Sequence, residues 1–186
     1  LEKSIELEVA NARQLNPLSE LPGNALIDIE LERLVRLGLP RIVLYFDIDN
    51  FKAYNDKYGF KNGDRALKRL SSIIKESASE DDFVGHIGGD DFIAVTDALT
   101  APDVCKTIVS AFNDSVPAFY SADDVQRGYI EGKSRSNIEE RFPLMSLTIV
   151  GVNASNFQSS FDLARAAATL KKQCKRISGS NYQLEA

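Results

Sequence analysis

Histidine occurs once in this chain, methionine once and cysteine twice. Cys105 and Cys174 lie far apart with no Cys-x-x-Cys spacing, and His86 stands alone, so the donors of a zinc site and the makings of a disulfide framework are both missing. Such usage suits a reducing compartment, and a cytoplasmic location is expected. Apolar runs such as Ile42–Phe46 fall far short of the roughly 20 residues a membrane-spanning helix needs. Leu1–Leu15 mixes charges throughout, unlike a secretory signal, so no direct membrane contact is expected of this segment. Met145 is internal, and we expect the chain to be cut from a longer protein, with room upstream for targeting or membrane-spanning segments. The net charge of −5, with lysine and arginine spread out, gives no basic surface for a phosphate backbone, so nucleic acid is not an expected partner.

What is present is a chain of 186 residues, 44% hydrophobic and 26% charged, enough for one domain with a real core. Residues 1–15 carry Leu1, Ile5, Val9 and Ala12 along one helical side and read as a signalling or packing helix, with the domain proper over 16–186. Asn16–Asn24 is a loop held by two prolines and a glycine. A helix over Ala25–Leu37 stops at Gly38. Arg41–Asp49 reads as a strand buried on both faces, then a short helix over Phe51–Lys57, and a longer one from Gly63-Asp64 to Glu76. Phe83–Ile87 and Phe92–Val95 flank Gly88-Gly89-Asp90-Asp91 as a β-hairpin, because paired glycines accept positive φ. Pro102–Asn113 is helical, Leu144–Val152 a strand, Phe161–Lys175 a helix and Asn181–Leu184 a short strand. Between Ser115 and Phe142 the pattern is weak: Tyr129–Gly132 is read as a strand end and Lys133–Arg141 as a polar excursion. The class is α/β (α+β).

Two groups of carboxylates draw attention: Asp47 and Asp49 at a strand end, Asp90 and Asp91 on the glycine turn. Clustered carboxylates not neutralised by lysine or arginine repel one another, and a divalent ion removes that cost. Oxygen-only ligands select a hard ion such as magnesium, which keeps positions open for substrate phosphates. Solvated turn aspartates are the plain alternative. Other templates fail: Phe51 and Lys52 spoil an EF-hand reading, and no phosphate-binding glycine loop, dinucleotide fingerprint or nucleophile elbow occurs.

The run Phe46-Asp47-Ile48-Asp49-Asn50-Phe51-Lys52-Ala53-Tyr54-Asn55-Asp56-Lys57-Tyr58-Gly59, then Gly63-Asp64, then Gly88-Gly89-Asp90-Asp91-Phe92, resembles the ordered signature of the GGDEF domain family. Asn16–Asn24 is similar to that family's opening motif. The resemblance implies a fold like class III nucleotidyl cyclases and polymerase palms, a central mostly antiparallel sheet surrounded by helices. It implies condensation of two GTP into cyclic di-GMP in an antiparallel homodimer, with magnesium or manganese as cofactor. An upstream sensor or a neighbouring regulatory domain is the expected controller. By position, Asp47 and Asp90 hold the ion with the Ile48 carbonyl, and Asp90 and Asp91 are the catalytic pair. Asn55 and Asp64 meet the guanine edge, Lys52 and the backbone near Phe51 meet the phosphates, and Lys175 is the phosphate-binding lysine, with Lys171, Lys172 and Arg176 as rivals.

Four departures from the family pattern stand out. Asp91 replaces the usual glutamate, withdrawing the carboxylate by one methylene. The arginine of the feedback motif R-x-x-D is missing from Ser79-Glu80-Asp81-Asp82. His86 replaces an arginine and is read as a half-buried strand residue or a phosphate contact. The closing helix carries one extra residue before Gly179-Ser180-Asn181. The expected function is a diguanylate cyclase; the alternatives are a weak or inactive GTP-binding module regulating a neighbouring phosphodiesterase or sensor domain, and a purely structural dimerisation domain.

Overall fold

Arg41–Asp49, strand β1, lies in the middle of the molecule because its central run Ile42–Phe46 is apolar and both of its faces are covered. The computed structural model describes residues 14–133 and 139–185. The helix expected over 1–15 therefore falls almost wholly outside the described residues. Before β1 comes α1 (Asn24–Leu37); after it come α2 (Phe51–Tyr58), α3 (Phe60–Ser77), β2 (Phe83–Gly88), β3 (Asp91–Asp97) and α4 (Ala101–Ser115). The chain continues through α5 (Ala122–Arg127), β4 (Tyr129–Lys133), β5 (Glu139–Pro143), β6 (Ser146–Asn153), α6 (Ser160–Cys174) and β7 (Asn181–Glu185).

The main sheet runs β2-β3-β1-β6-β7, with β4-β5 a separate hairpin. The pairings β2–β3, β3–β1 and β1–β6 are antiparallel and β6–β7 is parallel, so the sheet is mostly antiparallel as expected. Alternation along β1 splits the core in two. Ile42, Leu44, Phe46 and Ile48 pack with α3 and α4 residues such as Leu70 and Ile108. Val43 and Tyr45 face the other way, toward Ile27, Leu31 and Leu34 of α1 and Leu163, Ala167, Leu170 and Cys174 of α6. Asp47 and Asp49 continue that second row, which carries them toward the end of α6.

Three differences from the sequence expectation have physical causes. Helix α3 starts at Phe60 rather than Gly63, because the break sits at Gly59 (φ 85°), whose carbonyl accepts the Asn62 and Gly63 N–H groups at 3.1 and 3.2 Å. Gly63 is therefore a first-turn residue packed against a neighbour. The weak region 115–142 is ordered in part as α5 and the β4–β5 hairpin, though residues 134–138 fall outside the described residues. Strand β5 is mostly exposed and shows no apolar alternation. Helix α5 is anchored by a charge: Asp124 is 1% exposed and bonds Tyr58, Lys57 and Arg127, so no apolar stripe announces it.

Candidate functional site

Asp47 leaves β1 directly opposite Asp91 of β3 in the antiparallel register. Like charges set face to face in a ladder are destabilising, so this pair needs a cation. It has one. The Lys171 Nζ donates to Asp47 Oδ2 at 3.1 Å and to Asp91 Oδ1 at 2.8 Å. Lys175, the C-cap residue just after α6, contacts the other Asp47 oxygen and lies 3.3 Å from Asp49. These carboxylates are therefore not free of lysine, as the sequence alone led us to expect. The cause is tertiary: Ala167, Leu170 and Cys174 seat α6 on the second face of the sheet, and that places positions 171 and 175 over the end of β1. Burial alone lowers the affinity of Lys171 and Lys175 for their protons, but the carboxylates offset this and leave both above the ordinary lysine value.

Asp49 is held differently. Its Oδ2 accepts from Ser146 Oγ at 3.0 Å and Thr148 Oγ1 at 2.9 Å on neighbouring β6. Asp90, at the tip of the turn, forms no ion pair among the described residues. Its carboxyl is pushed above the usual range by burial first, and then by the Asp47 and Asp91 charges, with Lys175 opposing.

The turn that carries Asp90 is shaped by Gly88 (φ 146°) and Gly89 (φ 57°). It is also clamped from behind. His86 is 2% exposed, fully buried rather than half-buried, and stacks on Phe92 with ring centroids 4.0 Å apart. Its Nε2 lies 2.9 Å from the Gly89 carbonyl and its Nδ1 2.9 Å from Ser19 Oγ. Its backbone N–H donates to the Pro22 carbonyl at 2.9 Å. Burial lowers the His86 pKa below the ordinary histidine value, while the Gly89 carbonyl and Asp91 pull the other way. A neutral ring that donates from Nε2 and accepts at Nδ1 satisfies both partners. His86 thus ties the leading loop, Gln14–Gly23, to the turn.

On the other side of the β1 terminus, Asn50 adopts left-handed backbone (φ 61°) and opens α2, whose first turn has no side-chain cap. The N–H groups of Phe51 and Lys52 are thus available at a helix N-terminus, a natural anion seat. The Phe51 side chain is buried in the core, 8% exposed. Lys52 is exposed, and its ammonium bonds Asp56 at 2.5 Å rather than any carboxylate of the Asp47 group. It faces a hollow of about 240 Å³ shared with Lys133, Glu140 and Phe142 of the β4–β5 hairpin. Asn55 is the most telling side chain. Its Oδ1 is buried and has no hydrogen-bond partner among the described residues. A buried amide oxygen left without a donor is costly, and such an atom points to a missing ligand. Gly63 exists to admit it: a Cβ there would lie 1.9 Å from the Asn55 oxygen. Asp64 follows on the exposed side of α3.

The residues fit a hard divalent ion. Asp47 and Asp90 could supply carboxylate oxygens, Asp90 is half-buried beside the Asp47 and Asp91 charges and forms no ion pair among the described residues, and the Ile48 carbonyl lies between the two Asp-bearing positions of β1. No set of three or more acidic, histidine or cysteine side chains among the described residues is arranged for a metal, so the remaining ligands would come from backbone, water and phosphate. No helix among the described residues is long and apolar enough to cross a membrane.

The family model described as "Diguanylate cyclase, GGDEF domain" matches residues 15–127. The chain is 32% identical over 115 residues to the diguanylate cyclase DgcS of Shewanella oneidensis, a match covering 61% of this chain and 39% of that protein. It thus spans well under half of that relative. Its fold is similar to the coiled coil and GGDEF domain of DgcB from Caulobacter crescentus in complex with c-di-GMP, with a TM-score of 0.73 at 20% identity, covering 98% of this chain and 91% of that one. A GGDEF domain of PA1120 (TpbB or YfiN) from Pseudomonas aeruginosa gives a TM-score of 0.67 at 22% identity, over 92% and 94% of the two chains.

Proposed function

From a chain that belongs to the GGDEF diguanylate cyclase family, we propose a domain that binds GTP with a magnesium or manganese ion and joins two GTP molecules into cyclic di-GMP as an antiparallel homodimer. The observation that carries the reading is the buried Asn55 Oδ1, which has no hydrogen-bond partner among the described residues. A guanine edge offers N–H groups to that oxygen and to the Asp64 carboxylate, while the Asn55 amide group donates back. The α2 N-terminus at Phe51 and Lys52 would then receive the distal phosphates, with Lys175 as a point charge. Lys52 contributes through its backbone N–H, since its side chain is engaged with Asp56.

Asp47, Asp90 and the Ile48 carbonyl would hold the ion, which neutralises charge on the phosphates. The chain's own work is positioning: the β1–β3 ladder fixes Asp47 against Asp91, and the His86 clamp fixes the turn that presents Asp90. One domain holds one GTP, so the second nucleotide must arrive on another copy, and dimerisation becomes the natural control point for an upstream sensor or neighbouring regulatory domain. Incubation with GTP and Mg²⁺ at concentrations that drive dimerisation should yield cyclic di-GMP. Intact GTP binding without product would instead favour the GTP-binding regulatory module, a reading that rests on the shortened Asp91.

A further inference from the structure

We propose that Lys171 is the domain's internal counter-ion, a positioning residue that holds Asp91 to Asp47 and competes with the divalent ion for the Asp47 carboxylate. The proposal rests on the reading of Asp47 as an ion ligand given above. Its own support is geometric. Asp47 and Asp91 face each other across β1 and β3, and the Lys171 ammonium lies within hydrogen-bond distance of one oxygen of each, at 3.1 and 2.8 Å. Lys171 side-chain exposure is 27%, so the bridge is partly shielded from solvent and salt.

The position on α6 is specific. Leu170 and Cys174 are buried against the sheet, and the side chains that follow each of them, Lys171 and Lys175, reach the acid row, whereas Lys172 between them is exposed. The two lysines divide the work. Lys175 contacts Asp47 and Asp49 within β1, while Lys171 alone crosses to β3. Asp91 is one methylene shorter than glutamate, and the long Lys171 side chain supplies the reach that closes the gap between the strands. A unit positive charge bonded to Asp47 Oδ2 repels a second cation approaching the same carboxylate. Binding of a divalent ion there is therefore weakened while Lys171 stays in place.

The test is a calorimetric titration of the nucleotide-free chain with Mn²⁺, comparing the parent with Lys171→Met and Lys171→Arg. Lys171→Met should bind Mn²⁺ about three- to tenfold tighter, the scale of one partly screened unit charge, and Lys171→Arg should match the parent. Lys171→Gln carries the same expectation if the methionine variant does not fold. In chelator, the neutral variants should melt below the parent yet gain more from saturating Mn²⁺. Equal Mn²⁺ affinity in parent and neutral variants overturns the competition while leaving the ion site standing. Absence of Mn²⁺ binding in the parent and both neutral variants overturns the ion reading itself, and this proposal with it.

Discussion

The Asn55 amide oxygen occupies the place where a side chain on residue 63 would begin: a Cβ built on Gly63 lies 1.9 Å from it and 2.9 Å from the Asn55 Cγ. The two nearest atoms belong to the flexible end of Asn55, and the buried Phe51 ring at 3.1 Å has to give by only a few tenths of an ångström, so the fold can give way where the site cannot. Gly63→Ala removes a glycine from a helix, a gain of up to about 1 kcal/mol, and displaces Asn55. We expect little change in melting temperature and at least a tenfold loss of GTP affinity by calorimetry. A variant that melts far lower, or binds GTP as before, contradicts this account of Gly63.

Asp91 meets Lys171 at 2.8 Å and is 40% exposed, so a longer carboxylate at this position has space to extend. Asp91→Glu moves the carboxylate outward by one methylene, and a displacement near 1 Å can change rate about a hundredfold. Turnover of GTP to cyclic di-GMP is expected to rise about tenfold or more, with GTP affinity nearly unchanged. An unchanged rate would show that the shortened carboxylate is not what limits the chemistry.

The feedback motif's remaining aspartate is committed to the fold. Asp82 has a side chain only 4% exposed, accepts from Arg41 at 2.8 Å, from Thr96 Oγ1 at 3.2 Å and from the Ser79 N–H at 2.9 Å. A carboxylate so engaged has no lone pairs facing solvent for a guanine, and Arg41 is turned inward. Added cyclic di-GMP should therefore leave initial rates unchanged at concentrations that inhibit relatives bearing R-x-x-D. Arg41→Ala should destabilise by about 1–3 kcal/mol, because it strips a buried carboxylate of its charged partner. Urea unfolding reads that cost directly.

Much of this was legible in the chain itself, and for identifiable reasons. Strand β1 declares itself by a nearly unbroken apolar run, and Gly88-Gly89 by the positive φ that other residues resist. The acid pair and the candidates Asn55 and Asp64 came from a colinear motif, whereas the close fit of Gly63 against Asn55 shows only in the fold. What stayed hidden depends on docking between distant segments. Lys171 stood only as a rival to Lys175 for a phosphate, and its contact with the acids depends on how Leu170 and Cys174 seat α6. The Ser19–His86 contact spans 67 residues and has no local periodicity. Asp124 buries a charge where sequence patterning looks for an apolar face.

His86 couples the turn to the leading loop, and its chemistry sets a pH dependence. Its folded pKa is lowered by burial below the ordinary value near 6.5, so the folded state prefers the neutral ring. Between those two pKa values the unfolded chain binds more protons, and stability rises with pH. The contribution is thus complete above about pH 6.5 and is lost as pH falls toward the folded value. Replacing His86 with leucine leaves Ser19 Oγ and the Gly89 carbonyl without their partner, at a cost of about 1–3 kcal/mol near neutral pH. It also removes the titrating group, so the gap between parent and His86→Leu should narrow from pH 8 to pH 5. Melting temperatures across that range test it. A constant gap would mean that folding leaves the His86 pKa unshifted, and a gap that widens on acidification would mean that the fold favours the charged ring and that the clamp on Gly89 works by another arrangement.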